Sequence, residues 1–313
     1  MERIAVIGSG ISGLAAAREL TRAGGRHVTL FEAGSHFGGH AHTVDVTLNG
    51  VAHAVDTGFL VCNPRTYPRL MRLFAELGVE TVASEMSFSV QHRARGLEWS
   101  GSNLAGVFAQ RANLLRPRFW RMLVDIARFN RLATGMALHN EDAALEQPIG
   151  AFLERHRFGR AFREWYFLPM IACIWSCPSA QMLEFPIGTL IRFCHNHGLL
   201  HVTNRPQWLS VRGGSRRYVQ RIVDGLTDAR LNTPVLGVQR VEAGALLRTA
   251  SGTEHVDQVV FACHSDQALR LLGSDATPAE AQILGAIRYQ PNRAVLHTDA
   301  SLLPASASAA PDS

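Results

Sequence analysis

The chain opens Arg3-Ile4-Ala5-Val6-Ile7-Gly8-Ser9-Gly10-Ile11-Ser12-Gly13, and the stretch from here to Ala33 decides how the rest folds. Ile4–Ile7 is a short apolar run of strand type, and the glycine turn Gly8–Gly13 follows at once. Leu14–Ala23 reads as a helix, and Val28–Phe31 is a second apolar run that ends at Glu32. Strand, glycine turn, helix, strand and terminal acid together form the dinucleotide-binding fingerprint in its full context. Gly8 permits the tight turn, Gly10 lets backbone approach a pyrophosphate, and Gly13 lets the helix pack closely on the strand. The helix N-terminus offers unpaired N–H groups and partial positive charge to phosphates. Glu32 stands roughly 20 residues beyond the glycines, where an acid accepts hydrogen bonds from a ribose. That acid would repel a 2′-phosphate, which argues against NADP and leaves NAD and FAD open.

The totals bound the remainder. A length of 313 residues suggests about two domains with ample core. Hydrophobic residues make up 47% and charged residues 18%, which describes a globular, rather apolar protein. The net charge of +5 is modest, mostly arginine in origin, and not gathered in one block, so nothing points to nucleic acid. A basic surface that touches anionic lipid is compatible with this balance. Five cysteines, Cys62, Cys173, Cys177, Cys194 and Cys263, are scattered, and no second close pair accompanies Cys173 and Cys177 to make a zinc site. They are expected to be buried, reduced thiols of a cytoplasmic protein. No signal-peptide pattern precedes the first strand, and no apolar run reaches the ~18 residues of a membrane span.

After Glu32 comes Ala33-Gly34-Ser35-His36-Phe37-Gly38-Gly39-His40, whose Gly38-Gly39 pair marks a second place of close backbone approach. Ala41–Leu48 and Val51–Val55 alternate and are joined by Asn49-Gly50, the strongest short hairpin signal. Asp56-Thr57-Gly58-Phe59 closes the unit.

Taken together, Gly8, Gly10 and Gly13, Glu32, Gly38-Gly39 and Asp56-Thr57-Gly58 resemble the flavin-dependent amine oxidase superfamily, which includes monoamine oxidases, protoporphyrinogen oxidase and phytoene desaturases. Gly38-Gly39-His40-Ala41-His42-Thr43 with Val55–Phe59 is similar, more closely, to a bacterial subgroup of FAD-dependent oxidoreductases linked to fatty-acyl modification. His40 is a departure, because amine oxidases usually place arginine there. The resemblance implies an α/β fold, a Rossmann-like FAD-binding domain of the GR2 type with an inserted, partly helical substrate domain. It implies FAD rather than NAD as cofactor. Gly8, Gly10, Ser12, Gly13, Glu32, Ala33, Gly38 and Gly39 would hold its ADP half, and backbone at Val235 would meet the adenine. Thr57, Gly58 and Phe59 would lie near the flavin. His40 would either hydrogen-bond the cofactor or cap a turn.

The expected domain boundaries are 1–62 and 205–272 for the FAD-binding domain, 63–204 for the substrate domain, a return to it over 273–303, and a disordered tail over 304–313. Helical periods run over Asn63–Gly78, Leu104–Gly135 with a new helix at Pro117, Pro148–Phe158, Ala161–Met170, Tyr218–Leu226, Gln267–Leu272 and Pro278–Ile287. Phe108, Leu114, Leu115, Phe119, Trp120, Leu123, Ile126 and Phe129 form the apolar face of the longest, whose basic side suggests either a solvated surface or a membrane-surface contact. Strands are expected over Glu80–Val90, Leu97–Ser100, Arg230–Leu236, Val238–Val241, Leu246–Thr249, Val256–Ala262 and Ala294–Thr298. His195-Asn196-His197 in a strand would put two imidazoles on one face, but no third ligand accompanies them, so no metal is expected. Trp175 and Phe185 are candidates for the wall of an apolar pocket, or for core.

A bound flavin carries its own redox chemistry, so no catalytic dyad is required, and none is evident. The reading is an FAD-dependent oxidoreductase of desaturase or oxidase type with an apolar, lipid-linked small-molecule substrate. Amine oxidation in the narrow sense and a non-catalytic nucleotide-binding remnant are the alternatives. The resemblance also places a late Gly-Asp element and a final helix against the flavin, and neither is found before Ser313. The chain therefore reads as truncated, with its flavin half incompletely secured.

Overall fold

The computed structural model describes residues 1–101, 103–139, 145–175, 179–201 and 205–304. The chain forms two compact units. One comprises Met1–Val61, Arg69–Val82 and Ser210–Ala294; the other comprises Cys62–Pro68, Ala83–Leu209 and Val295–Ser313.

In the first unit, β1 (Glu2–Ile7), α1 (Ile11–Arg22) and β2 (Arg26–Phe31) build the expected opening. The helix begins at Ile11 rather than Leu14, because Leu14 N–H already donates to Gly10 O at 2.9 Å and closes the first turn. A four-stranded parallel sheet runs Gln258–Phe261, β1, β2, Asp228–Arg230. Its central strand is buried on both faces, which is why Ile4-Ala5-Val6-Ile7 is an unbroken apolar run. A three-stranded antiparallel sheet, Gly237–Val241, Gly244–Thr249 and Gly252–Val256, shares a core with it through Ala5, Ile7, Phe31, Val238, Leu247 and Val256. The hairpin is β3 (Thr43–Leu48) with β4 (Val51–Asp56); Asn49 and Gly50 both take positive φ, at 52° and 79°, as its tight turn requires.

Three strand expectations are corrected first, and a fourth with the second unit below. Only Asp228–Arg230 pairs in the sheet; the chain then turns at Asn232 (φ 48°), where Thr233 N–H donates to Glu32 O. Val256–Ala262 is divided at Asp257, whose carboxylate accepts Arg3 N–H at 2.6 Å while its own N–H donates to Arg3 O. That exchange carries the chain from one sheet to the other. No strand forms over Ala294–Thr298, which is exposed.

Asp228 anchors the edge of the parallel sheet. It accepts hydrogen bonds from Thr29 Oγ1 (2.9 Å) and Arg230, whose other arm reaches Glu254. Burial pushes the Asp228 carboxyl up, but Arg230 and Thr29 outweigh this and hold it below its ordinary value. A carboxyl lowered in the folded state stabilises above its unfolded pKa of about 3.9 and loses that contribution as pH falls through the folded value. Asp228→Asn should therefore cost about 1 kcal/mol at neutral pH and flatten the fall in unfolding midpoint below about pH 4. Thermal melts of both proteins across the acid range check this; parallel curves would contradict it.

The second unit is largely helical. Its long helix, Pro117–His139, begins at the expected proline. Helices Ile149–Arg155, Leu168–Trp175 and Ile187–Asn196 pack around an aromatic core. Phe129 is fully buried, with the rings of Phe152, Phe158, Phe162 and Phe167 at 5.3–6.3 Å. A π-helical turn, Arg163–Phe167, interrupts the expected Ala161–Met170 helix and turns Trp165, Tyr166 and Phe167 all inward. Burial pushes the Tyr166 hydroxyl pKa up and the Cys194 thiol up to about 12.

Leu114 and Leu115, expected on the buried face, are exposed, because Arg111–Leu115 is a separate 3-10 turn ahead of the long helix; Trp120, within that helix, is exposed because Phe119 and Met122 take the buried face. Glu80–Val90 splits into strands Thr81–Ser84 and Ser89–His92. The helix expected from Asn63 starts at Pro68; Asn63 instead caps the preceding turn, accepting from Arg65 and Thr66 N–H. His195 lies in the last turn of a helix with His197 as its cap, not in a strand, so the two rings do not share a face. Among the described residues no group of His, Cys, Asp or Glu is arranged to hold a metal, and no helix is long and apolar enough to cross a membrane. Cys62 and Cys194 are buried as expected, whereas Cys173 is exposed. Cys177 and the tail beyond Pro304 lie outside the described residues.

Candidate functional site

The site grows from the two glycine turns of the first unit. Gly8 has φ 102°, and a Cβ there would sit 2.8 Å from Ala262 O, just past the end of the strand beside β1. Gly13 is tighter still: its Cβ would lie 1.9 Å from Gly8 O. These glycines are imposed by protein against protein. Gly10 differs, since a Cβ on it would meet no protein atom within 4 Å. The side from which a ligand would approach is therefore open. Ser12 is exposed at the same helix end, and Gly10 supplies no side-chain cap. The N-terminal turn of a twelve-residue helix thus faces this opening with its dipole.

The second turn docks onto the first. Gly38 N–H donates to Ser9 O (3.0 Å) and Ser9 Oγ (3.2 Å), and Gly38 forms a bridge with Gly10. Gly38 has φ 114° and Gly39 φ 58°; a Cβ on Gly39 would stand 3.2 Å from Gly10 Cα. A helix and a strand separate these pairs in sequence, yet they converge on one notch.

Glu32 closes the floor. Its Oε2 accepts from Ser9 N–H (3.0 Å) and Ser9 Oγ, and its Oε1 accepts from Gly34 N–H at 2.7 Å. The acid thus ties the end of β2 to the glycine turn as well as standing where a ribose acceptor is expected. Ala33 beside it is exposed. Val235 is half-buried against the core of the two sheets.

The hairpin closes through a link that sequence reading missed. Asp56 Oδ1 accepts from Thr43 Oγ1 (2.6 Å), Ser215 Oγ (2.8 Å) and Ser215 N–H (2.9 Å). Ser215 is fully buried, and Thr43 Oγ1 in turn accepts from Arg216 N–H. Gly214 (φ 86°) leaves room for Thr43, whose Cγ2 would be 2.4 Å from a Cβ there. Asp56 therefore fastens the Gly213-Gly214-Ser215 turn to the hairpin. The sequence shows an acid beside the Thr57-Gly58 pair and a Gly-Gly-Ser turn that opens a helix, but not that the two are joined.

Thr57 N–H donates to His42 O, and Phe59 N–H donates to His40 O at 2.8 Å. Gly58 must be glycine, because its Cβ would lie 2.2 Å from His40 O. The His40 ring is exposed and stacks on His264 at 6.5 Å, which stacks on Tyr289 at 4.4 Å. His264 follows the strand that passes Gly8, and nothing in its local sequence singled it out. Burial pushes the neighbouring Cys263 thiol up.

The proposed pocket residues belong to the second unit. Trp175, at 38% exposure, packs its ring on Phe193 at 5.3 Å, and Phe185 is 52% exposed. Both are on the surface of the helical unit rather than in its core.

The notch fits a dinucleotide phosphate on three counts: an open glycine, a helix N-terminus, and a second glycine turn laid against it. The sequence profile of flavin-containing amine oxidoreductases matches residues 11–297. The chain is 26% identical over 245 residues to (S)-6-hydroxynicotine oxidase of Paenarthrobacter nicotinovorans, covering 75% of this chain and 53% of that protein. It is 25% identical over 255 residues to the flavin-containing amine oxidase B of Homo sapiens, covering 79% of this chain and 47% of that protein. The chain thus spans about half the length of the curated relatives it matches. A fatty acid isomerase of P. acnes that produces CLA has a similar fold, with TM-score 0.64 and 17% identity over 91% of this chain and 63% of that one. With a profile that covers most of its length, this chain belongs to the flavin-containing amine oxidoreductases, and its cofactor is FAD.

Proposed function

We propose that this chain carries the ADP-binding half of an FAD-dependent oxidoreductase that acts on an apolar, fatty-acyl substrate. The observation that carries the cofactor placement is the convergence of Gly39 on Gly10 at an open helix N-terminus. Gly8, Gly10, Ser12 and Gly13 with Gly38 and Gly39 would hold the pyrophosphate. Glu32 and Ala33 would meet the ribose, and Val235 the adenine. His40, Thr57, Gly58 and Phe59 would lie toward the flavin. When bound, the flavin supplies a hydride acceptor for an activated C–H bond. The chain's own part is to fix the cofactor through backbone N–H groups, to lock the hairpin with Asp56, and to exclude water with apolar surface. The apolar helical unit, with Trp175 and Phe185 at its surface, supports an alkyl substrate.

The second reading is amine oxidation, favoured by the oxidases of hydroxynicotine and amines among its relatives. A substrate panel under air separates the two. The purified protein is expected to be yellow, and FAD-loaded protein should convert saturated acyl chains to unsaturated ones with no peroxide release from amines. Amine turnover without acyl products would overturn the substrate reading. Protein that stays colourless and takes up no added FAD would overturn both.

A further inference from the structure

A cavity of about 790 Å³ opens in the helical unit, between the C-terminal half of helix Pro117–His139 and the end of helix Ile149–Arg155. Arg128, Arg131, His139, Arg155, His156 and Arg157 line it. Leu132 and Met136 give it an apolar floor, and no described carboxylate lines it.

Among the described residues the charges here are unbalanced, and Arg131, Arg155 and Arg157 are exposed. Arg128 is the one of the four arginines that is answered: it pairs with Asp125 at 3.3 Å, donates to His156 O, and lies 4.3 Å over the Phe158 ring. Arg131, Arg155 and Arg157 make no ion pair among the described residues. Burial, then the charges of Arg155 and Arg128, hold His156 below its ordinary pKa, so a titratable group in the cavity feels the positive field. Like charges gathered in one concavity repel each other unless an anion completes them.

Arg157 adds an independent observation. It takes φ 50° at the left-handed seat that closes helix Ile149–Arg155. Its N–H donates to Glu154 O (2.9 Å), and Phe158 N–H donates to Leu153 O (3.0 Å), a Schellman closure. Glycine suits that seat without strain, yet an arginine occupies it and reaches the cavity.

We propose that this cavity binds a phosphomonoester group carried on an alkyl stem. Guanidinium forks match the oxygens of phosphate two at a time. A dianion answers several unpaired arginines where one carboxylate answers one, and the floor of Leu132 and Met136 accepts methylenes. The group comes either from a soluble phosphate ester or from the headgroup of phosphatidic acid.

The test uses FAD-saturated full chain, so that the notch at Gly10 is filled. Calorimetric titration with decyl phosphate is expected to show one saturable site. Arg131→Gln with Arg155→Gln should weaken it at least roughly tenfold. Arg157→Gly should weaken it several-fold while raising the unfolding midpoint, a pairing that a misfolded variant could not give. Arg111→Gln with Arg118→Gln, an equal loss of charge at exposed positions outside the cavity, should leave it unchanged. Sedimentation with phosphatidylcholine vesicles, with or without phosphatidic acid, assigns the source: vesicle binding without decyl phosphate binding identifies the headgroup. The proposal fails if neither probe binds, if decanoate binds as tightly as decyl phosphate, or if the outside pair weakens binding as much as the cavity pair.

Discussion

Gly10→Ala is expected to lower FAD affinity at least roughly tenfold while leaving the stability of the apoprotein within about 1 kcal/mol of the original. The two outcomes part because of where the added methyl goes. Gly10 has φ −58°, which alanine adopts without strain, and its Cβ would meet no protein atom. The methyl would instead fill the opening at the helix N-terminus. Gly13→Ala is the contrasting case. Its Cβ would press on Gly8 O at 1.9 Å, backbone against backbone, so the helix must shift off the strand. A loss of about 3 kcal/mol, at the upper end of overpacking costs, is expected there together with loss of FAD. Urea unfolding of apoprotein and fluorescence titration with FAD measure the two effects separately. Gly10→Ala protein that binds FAD like the original would remove the cofactor from this notch.

The second large effect is expected at Asp56. Asp56→Ala takes the acceptor away from the N–H and hydroxyl of Ser215, which is fully buried, and from the Thr43 hydroxyl. Each buried polar group left without a partner costs about 1–3 kcal/mol, so a total near 3 kcal/mol is expected. Asp56→Asn keeps one acceptor oxygen and should lose about 1 kcal/mol. Ser215→Ala removes donor and demand together and should lose less than Asp56→Ala, and the double variant should be no worse than Asp56→Ala alone. Urea midpoints across this cycle are the measurement. Strict additivity would show that Asp56 and Ser215 do not act as a unit.

The fold was legible where local chemistry and tertiary demand coincide. Ile4–Ile7, Gly8–Gly13 and Val28–Glu32 announce a parallel βαβ unit because each glycine, apolar run and acid has one structural use there. Asn49-Gly50 was equally readable, since positive φ at both positions admits few other residues. Val256–Ala262 misled because apolar continuity does not reveal a change of partner: Asp257 switches sheets through a hydrogen-bond exchange with Arg3, a residue at the other end of the chain. Leu114 and Leu115 misled because a 3-10 turn breaks the phase of a helical period without any proline or glycine inside it. In the site, the glycines and Glu32 were legible as types at fixed spacing. The tie from Asp56 to Ser215 and Thr43, and the stack of His40, His264 and Tyr289, were not. They join residues far apart in sequence, each unremarkable alone.

The strand order of the parallel sheet also sets a timetable for synthesis. β1 and β2 leave the ribosome first, yet the strands that cover their outer edges are Asp228–Arg230 and Gln258–Phe261. At about 5–20 residues per second, those edges wait for roughly 10–50 s, while the helical insertion is made and can collapse through its more local contacts. For that interval the nascent chain exposes two apolar strand edges, Ile4–Ile7 and Thr29–Phe31, each a template for pairing with another chain. Yield of folded protein should therefore depend on holdase chaperones acting early in translation, and on the rate at which ribosomes cross the insertion.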